Sequence, residues 1–287
     1  MYMDKVFRTI LFASAFLSLL LVAGILLSLV IESVPALKHI GLFEFISSSK
    51  WDSHYEQEHY GTLSFLIATF VTSIIAMLIS FPFSMSLTIL NGGYFAETKF
   101  AYILNLIINF FANIPSILWG ILGYFSLRPI LISLDIGVQG LGIITASIVL
   151  AIMITPITTS LCLDLINKVP FNIKEAAYSL GASPFEVISK ICLPYLKKEI
   201  VATYLFAFGR ILGETMIIVM LIGNNNHLPT SIADTSNTMS SIILFQFGSA
   251  SDLKFSSLFA ISLLLFIITT IINSIVINML KGRKYGS

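Results

Sequence analysis

Six long apolar segments, separated by polar stretches, organise this chain of 287 residues. An α-helix needs about 20 apolar residues to cross the ~30 Å hydrocarbon core of a bilayer. The pattern therefore predicts six transmembrane helices at about residues 10–31, 64–81, 101–127, 141–163, 200–223 and 257–280. Pro115 interrupts the third segment and Pro156 the fourth. A backbone hydrogen bond lost at membrane depth must be replaced by a neighbouring helix or by water.

The composition agrees with a chain surrounded by lipid. Hydrophobic residues make up 56% of it and charged residues only 11%, whereas a soluble domain carries about 25% charged residues. We therefore predict an all-α, polytopic membrane protein whose residues 1–287 form one transmembrane domain. The net charge of +1 gives no reason to expect nucleic acid as a partner.

The basic residues predict the orientation of the chain. The first apolar segment is too long for a signal-peptide core of about 7–15 residues, so we expect it to stay as a helix. Eleven Lys and Arg residues outside the spans fall on one side of the membrane, and four fall on the other: Lys38, Lys50, Arg128 and Lys254. Because cytoplasmic loops are enriched in Lys and Arg, both termini and residues 168–198 are predicted to be cytoplasmic.

The loops 32–61 and 224–256 are then external. They either meet an extracytoplasmic partner or merely connect helices. His39, His54 and His59 lack a regular ligand spacing, so we predict no metal site. The two cysteines, Cys162 and Cys192, also lack such spacing and lie near the reducing cytoplasm, so they are expected to be unpaired apolar residues.

The polar stretch 168–198 predicts two short helices around a glycine turn. Asn172 and Glu175 have the spacing of a capping box, and Gly181 can supply a left-handed residue that ends the first helix. Residues 183–186, Ser-Pro-Phe-Glu, form a second helix start. Pro194 is predicted to end that second helix.

Helices this short are marginal alone in water and need a surface on which to pack. The apolar residues that require one are Ala176, Ala177, Leu180, Phe185, Val187, Ile188 and Ile191. Two surfaces are open to them: the body of the membrane domain itself, or a groove on another protein that receives a helix. The chain has no G-x-x-x-x-G-K-[ST] sequence, so we expect it to bind no nucleotide and no other cofactor.

Arg210 and Glu214 are the only charged residues inside the six predicted spans. An arginine near the midplane costs at least ~2.5–3.5 kcal/mol to insert. Glu214, at i+4, is predicted to lie on the same helix face, close enough to pair with it. The pair, with Thr215, forms either an anion site, because arginine offers a planar fork of donors to oxyanions, or a staple between helices. In the second case Gly209 and Gly213 provide a small-residue contact face.

Residues 175–194 resemble the EAA loop of bacterial ABC importer permeases. Glu175, Ala176, Ala177, Gly181 and Pro194 fall at the positions of E-A-A-x3-G-x9-I-x-L-P. The resemblance implies that 168–198 docks on a separate ABC ATPase subunit, which binds the ATP, and that Glu175 and Gly181 take part in this coupling.

A second resemblance covers nearly the whole chain. The sequence G-R-x-x-G-E-T-M at 209–216, followed by Gly223-Asn224, is similar to PstC-type permease subunits of phosphate ABC importers. Further matches are Trp51, Gly61-Thr62, Ile114-Pro115-Ser116 and Pro156, whereas Ile211-Leu212 and Trp119 depart from the usual pattern. The resemblance implies six helices in a type I (MetI-like) permease architecture, with phosphate carried into a bacterial cell. It also implies three kinds of partner: ATPase subunits, a PstA-like permease and an extracytoplasmic phosphate-binding protein.

Other functions remain open at this stage. The transported substrate is alternatively another oxyanion: sulfate, molybdate or tungstate. A further alternative is that the chain is the PstA-type subunit, although Met216 stands where PstA-type chains usually have Ala-Pro. A membrane-embedded enzyme would need a catalytic set at membrane depth. No His lies in any predicted span, and no H-E-x-x-H occurs, so we predict a transport subunit and not an enzyme. A purely structural membrane protein would leave the EAA spacing unexplained.

Overall fold

The computed structural model describes residues 2–52, 58–95 and 98–281, and the described chain is mainly helical. The helices are α1 Tyr2–Ile40, α2 Leu42–Ser47, α3 Leu63–Ile89, α4 Lys99–Ala112, α5 Ser116–Leu122, α6 Arg128–Ser133, α7 Ile143–Asn167, α8 Phe171–Ser179, α9 Pro184–Glu186, α10 Leu193–Tyr195, α11 Lys197–Leu212, α12 Met216–Leu221, α13 Met239–Phe247 and α14 Asp252–Lys281. Three π-helical segments continue neighbouring helices at Leu90–Tyr94, Gly123–Leu127 and Val187–Cys192. The strands β1 Trp51–Asp52 and β2 His59–Tyr60 pair antiparallel, a small addition to the predicted all-α fold.

Within the described residues, five helical stretches are long and apolar enough to cross a membrane: Phe7–Ile40, Leu63–Gly93, Ser116–Ser133, Ile143–Asn167 and Asp252–Lys281. The third predicted span is interrupted where Pro115 predicted it, between α4 and α5. Pro156 does not interrupt the fourth, because α7 continues through it. The prediction of one continuous helix over 200–223 is wrong, since the chain leaves helical geometry between α11 and α12.

The centre of the bundle is a close seam between α3 and α7. Small residues on the buried face of α3, such as Ala68, Ala76 and Ser80, let the helices approach closely. Hydroxyl groups then link the helices, because the Ser147 Oγ donates to the Thr72 carbonyl at 3.2 Å. The Thr155 Oγ1 likewise donates to the Ser80 Oγ at 3.0 Å.

The loop after α12 closes one end of the bundle, opposite 168–198. The first backbone N–H groups of a helix have no partner inside it, and here they donate outside α7. Gly142 N–H donates to the Leu221 carbonyl at 3.0 Å, and Ile143 N–H to the Asp234 carbonyl at 3.0 Å. The loop is therefore anchored to the rest of the fold as well as connecting helices.

Three further features bear on what the sequence predicted. His39 lies in the last turn of α1 and His59 on β2, whereas His54 lies outside the described residues. Cys162 and Cys192 are both buried and both free, as predicted. Residues 7–25 of α1 are exposed on all sides with their apolar side chains outward, which suits a helix surrounded by lipid.

Candidate functional site

The first helix of the 168–198 loop is α8, and a glycine turn ends it. Gly181 has φ +85°. Its N–H donates to the Tyr178 carbonyl at 2.9 Å, and Ala182 N–H donates to the Ala177 carbonyl at 3.1 Å. This pair of bonds is the Schellman motif, so the predicted role of Gly181 in ending the helix is confirmed.

Two details of the predicted loop are wrong. Asn172 and Glu175 form no capping box, because α8 begins two residues earlier, with Pro170 and not Asn172 before its first residue, and has no side-chain cap. Pro194 does not end the second helix, which continues to Tyr195. A π-helical stretch, Val187–Cys192, precedes Pro194, and the proline stands in the first turn of the segment that follows, Leu193–Tyr195, where proline is tolerated.

The second helix starts as predicted. The Ser183 Oγ accepts a hydrogen bond from Glu186 N–H, and the Glu186 carboxylate accepts one from Ser183 N–H at 3.1 Å. Lys190 Nζ lies 2.8 Å from the same carboxylate. The hydrogen bonds from Lys190 and Ser183 lower the pKa of Glu186 to about 2. The start of this helix is therefore well defined in an exposed loop.

One side of the loop packs on the membrane domain. Val187, Ile188 and Ala177 are buried in a cluster with residues of α7 and α11. The contact depends on Gly93, in the π-helical segment that follows α3, where an added Cβ would lie 2.7 Å from the Ile188 side chain. Part of the predicted apolar surface therefore packs on the body of the domain.

The other side of the loop has no cover within the described chain. Leu180 is 90% exposed and Phe171 73% exposed, with Phe185 and Tyr178 about half exposed. Glu175 and Ala176 are also exposed. Four large apolar side chains around the Gly181 turn thus face away from the membrane domain, and they form the loop's exposed face.

The second candidate site is the break between α11 and α12. Arg210 lies in the last turn of α11, Gly213 ends that helix, and Glu214 and Thr215 lie in the connection before α12. Because Glu214 is outside the helix, the expected i to i+4 arrangement with Arg210 is absent. Neither side chain has an ion-pair partner among the described residues, and Arg210 is exposed.

Neighbouring elements hold the break in place. The Ser240 Oγ of α13 donates to the Glu214 carbonyl at 2.7 Å, and Glu214 N–H donates to the Ile211 carbonyl at 2.9 Å. On the other side α12 lies against α5, where a Cβ at Gly120 would be 2.8 Å from the Met220 sulfur. Non-helical backbone at membrane depth is tolerated where protein buries it or a cavity adjoins it.

A cavity of about 540 Å³ adjoins this break. Its polar side chains are Thr215, Ser240, Ser262 and Thr269, and Gly213 with apolar residues of α1, α13 and α14 forms the remainder. Its volume is within the roughly 300–1,000 Å³ of ligand pockets. The structure therefore places Thr215 at an open space inside the bundle, with Arg210 less than two turns before it on α11.

The two glycines that flank Arg210 differ from one another. Gly209 packs on α14, where an added Cβ would lie 3.5 Å from the Ile272 side chain and 3.6 Å from the Asn273 Oδ1. Gly213 has no comparable neighbour. Sequence analysis did not single out Ser240 or Asn273. Asn273 had a signal, because it is a carboxamide inside a predicted span, whereas a serine in a polar loop gives none.

Comparisons with known proteins identify the family. Residues 84–282 match the family model described as "Binding-protein-dependent transport system inner membrane component". The chain belongs to this family. It is therefore a multi-pass transport component of the inner membrane, as the six apolar segments and the EAA spacing predicted.

Individual relatives refine the comparison. The phosphate transport system permease protein PstC of Mesorhizobium japonicum is 34% identical, covering 96% of this chain and 90% of that protein. PstC of Haemophilus influenzae is 34% identical over 94% of this chain and 91% of its own length. PstC of Pasteurella multocida is 35% identical over 92% of this chain and 89% of its own length. The predicted resemblance to PstC-type permeases is confirmed.

A solved structure supports the fold. A chain of the MetNI methionine ABC transporter in an inward-facing conformation superposes with a TM-score of 0.57. The alignment covers 77% of this chain and 93% of that chain at 18% identity. The predicted MetI-like permease architecture is confirmed by this similarity.

Proposed function

We propose that the chain is a permease subunit of an ABC importer that carries inorganic phosphate into the cytoplasm. The observation that carries the proposal is the similarity to three PstC proteins along nearly the whole chain. The position of the only charged pair in the predicted spans agrees with it. Arg210 and Glu214 flank a helix break beside a cavity, where an anion needs a counter-charge.

Arg210, Glu214 and Thr215 are the proposed substrate path. An unpaired, exposed guanidinium can offer its donor fork to phosphate oxygens. The Glu214 carboxylate can accept a hydrogen bond from a protonated phosphate oxygen, and the Thr215 hydroxyl adjoins the cavity. The absence of an ion pair between Arg210 and Glu214 favours this role over a staple between helices.

The exposed face of the 168–198 loop is the proposed docking surface for an ABC ATPase subunit, which binds and hydrolyses ATP. Burying side chains such as Leu180 and Phe171 stabilises a complex by about 1.5–3 kcal/mol each. Glu175, Ala176, Ala177 and Gly181 shape α8 and its turn, and Pro194 lies near the end of the second helix. Both termini are proposed to be cytoplasmic with this loop. The remaining proposed partners are a PstA-like permease and an extracytoplasmic phosphate-binding protein.

Uptake of labelled phosphate tests this function. The chain is expressed with its partner subunits in cells that lack other phosphate uptake, and Arg210→Gln is compared with wild type. A hydrogen bond to a charged group contributes about 1.5–3 kcal/mol, so we expect a fall in uptake of roughly ten-fold or more. Lys254→Gln, which removes a positive charge far from the break, is the control.

The outcomes separate the alternatives. Phosphate uptake by wild type that depends on Arg210, in complexes that still hydrolyse ATP, supports the proposal. Wild-type uptake of sulfate or molybdate in place of phosphate would show a different oxyanion importer. Normal uptake by Arg210→Gln would leave Arg210 outside the substrate path.

A further inference from the structure

Asn273 is a polar residue within the last predicted span, on the surface of α14. It lies seven residues before the end of that span, about 10 Å inside it at 1.5 Å per residue. Its side chain is exposed, and no described residue hydrogen-bonds to its carboxamide. An unpaired polar side chain at this depth does not suit a lipid environment.

The neighbour of Asn273 is the helix that carries Arg210. An added Cβ on Gly209 would lie 3.6 Å from the Asn273 Oδ1, which is an ordinary van der Waals distance, so the carboxamide lies directly beside the backbone of Gly209. Arg210 is the next residue, and consecutive Cα atoms are 3.8 Å apart. The Asn273 carboxamide is therefore within about 9 Å of the Arg210 Cα, a distance that an arginine side chain can bridge.

The chemistry of the two side chains is complementary toward one kind of ligand. A guanidinium provides donors only, whereas a carboxamide provides two N–H donors and an acceptor oxygen. A partly protonated oxyanion such as phosphate presents several acceptor oxygens and an O–H donor. Ionisable residues inside membranes, such as Arg210, almost always face a bundle interior or a water-filled cavity and mark substrate pathways.

We propose that Asn273 is a further residue of the substrate path, where it hydrogen-bonds the oxyanion held by Arg210. This inference rests on the proposed phosphate transport. A second observation fits the same face of α14: Ser262 and Thr269, at helical spacing from Asn273, line the cavity beside the break.

The test replaces Asn273 with leucine in the full permease–ATPase complex together with the binding protein. Leucine has nearly the same size and suits a membrane helix, so insertion should be retained. Asn278→Leu, five residues later on another face of α14 and also exposed, is the matched control. We measure phosphate uptake, ATP hydrolysis stimulated by the binding protein, and copurification of the partner permease.

The expected result is at least a ten-fold lower uptake by Asn273→Leu, with normal copurification and with ATP hydrolysis retained. The number of phosphate ions moved per ATP should therefore fall, which a purely structural residue would not cause. Asn278→Leu should transport at the wild-type rate. The double variant Arg210→Gln with Asn273→Leu should be little worse than Arg210→Gln alone, since two residues that bind one ion are not additive.

Two results would overturn the inference. If Asn273→Leu transports normally while Arg210→Gln is impaired, phosphate transport stands and Asn273 is outside the path. If copurification of the partner permease is lost, Asn273 is a contact between membrane helices. Failure of the proposed function has a different signature, because then wild type itself moves no phosphate or Arg210→Gln has no effect.

Discussion

The glycine turn at the end of α8 provides the sharpest test of the docking loop. Gly181 has φ +85°, and an added Cβ would meet no atom within 4 Å. A substitution there is therefore strained by its backbone conformation and not by a clash within the chain. Comparing Gly181→Asn, Gly181→Ala and Gly181→Val varies that strain while leaving the membrane domain unchanged.

The size of the effect follows from the backbone. An ordinary L-residue in the left-handed region costs roughly 1–2 kcal/mol. Asparagine adopts this region several-fold more often than most residues, whereas a β-branched residue is a genuine outlier there. If docking requires the Schellman turn, its affinity should fall by about 5- to 30-fold for Gly181→Ala, at 1.4 kcal/mol per factor of ten. The loss should be smaller for Gly181→Asn and larger for Gly181→Val.

The assay measures binding of purified ATPase subunit to detergent-solubilised permease complex, followed by phosphate uptake in cells. The order Gly, Asn, Ala, Val should appear in both measurements. Thermal stability of the membrane domain should change little, since Leu180 and Gly181 are exposed on this side of the loop. This stability measurement controls for misfolding.

Two results would refute the reasoning. If Gly181→Val binds the ATPase as wild type does, the turn has no part in docking. If Gly181→Asn and Gly181→Val reduce ATPase binding equally, the partner rejects any side chain at this position. The left-handed backbone conformation of residue 181 would then not determine the affinity.

The exposed face and the orientation can be tested in the same system. Leu180→Ser removes an apolar side chain that is 90% exposed, so it should leave folding intact but weaken ATPase binding by about ten-fold. The control, Leu134→Ser at the opposite end of the bundle, should leave ATPase binding unchanged. Equal loss of binding in both variants would contradict docking at Leu180. For orientation, an impermeant thiol reagent applied to intact cells should label Ser251→Cys and not Ser179→Cys; the reverse pattern would overturn the assignment of 168–198 to the cytoplasm. Both native cysteines are buried, and burial raises the pKa of Cys192, so they should react slowly.

Local sequence signals predicted those parts of the structure that depend on a few adjacent residues. The turn after α8 requires a positive φ, which Gly181 supplies, and Ser183, Pro184 and Glu186 together form a helix start. The turn and the helix start therefore both occur at the predicted positions. Pro115 separates two helices for the same kind of reason. The Asn172 capping box failed because Pro170 offers an earlier helix start, with its φ already near the helical value.

The division of labour within the loop could not be predicted from sequence. Apolar residues on two short helices require cover, but the pattern does not say which cover. The structure buries Ile188 against Gly93, a residue about 95 positions earlier, and leaves Leu180 exposed. Such a contact depends on the close approach of two distant segments, which a single sequence does not reveal.

The break in the fifth span was hidden for a related reason. Residues 200–223 contain no proline, and each glycine inside an apolar run, such as Gly209 or Gly213, costs a helix only about 1 kcal/mol, so a continuous helix was the reasonable expectation. Tertiary contacts determine that the helix breaks here. The Ser240 hydroxyl donates a hydrogen bond to the Glu214 carbonyl, and Gly120 lets α12 pack on α5. The consequence is chemical, because a continuous helix would let Glu214 neutralise Arg210. The break separates them and leaves the guanidinium available to an anion.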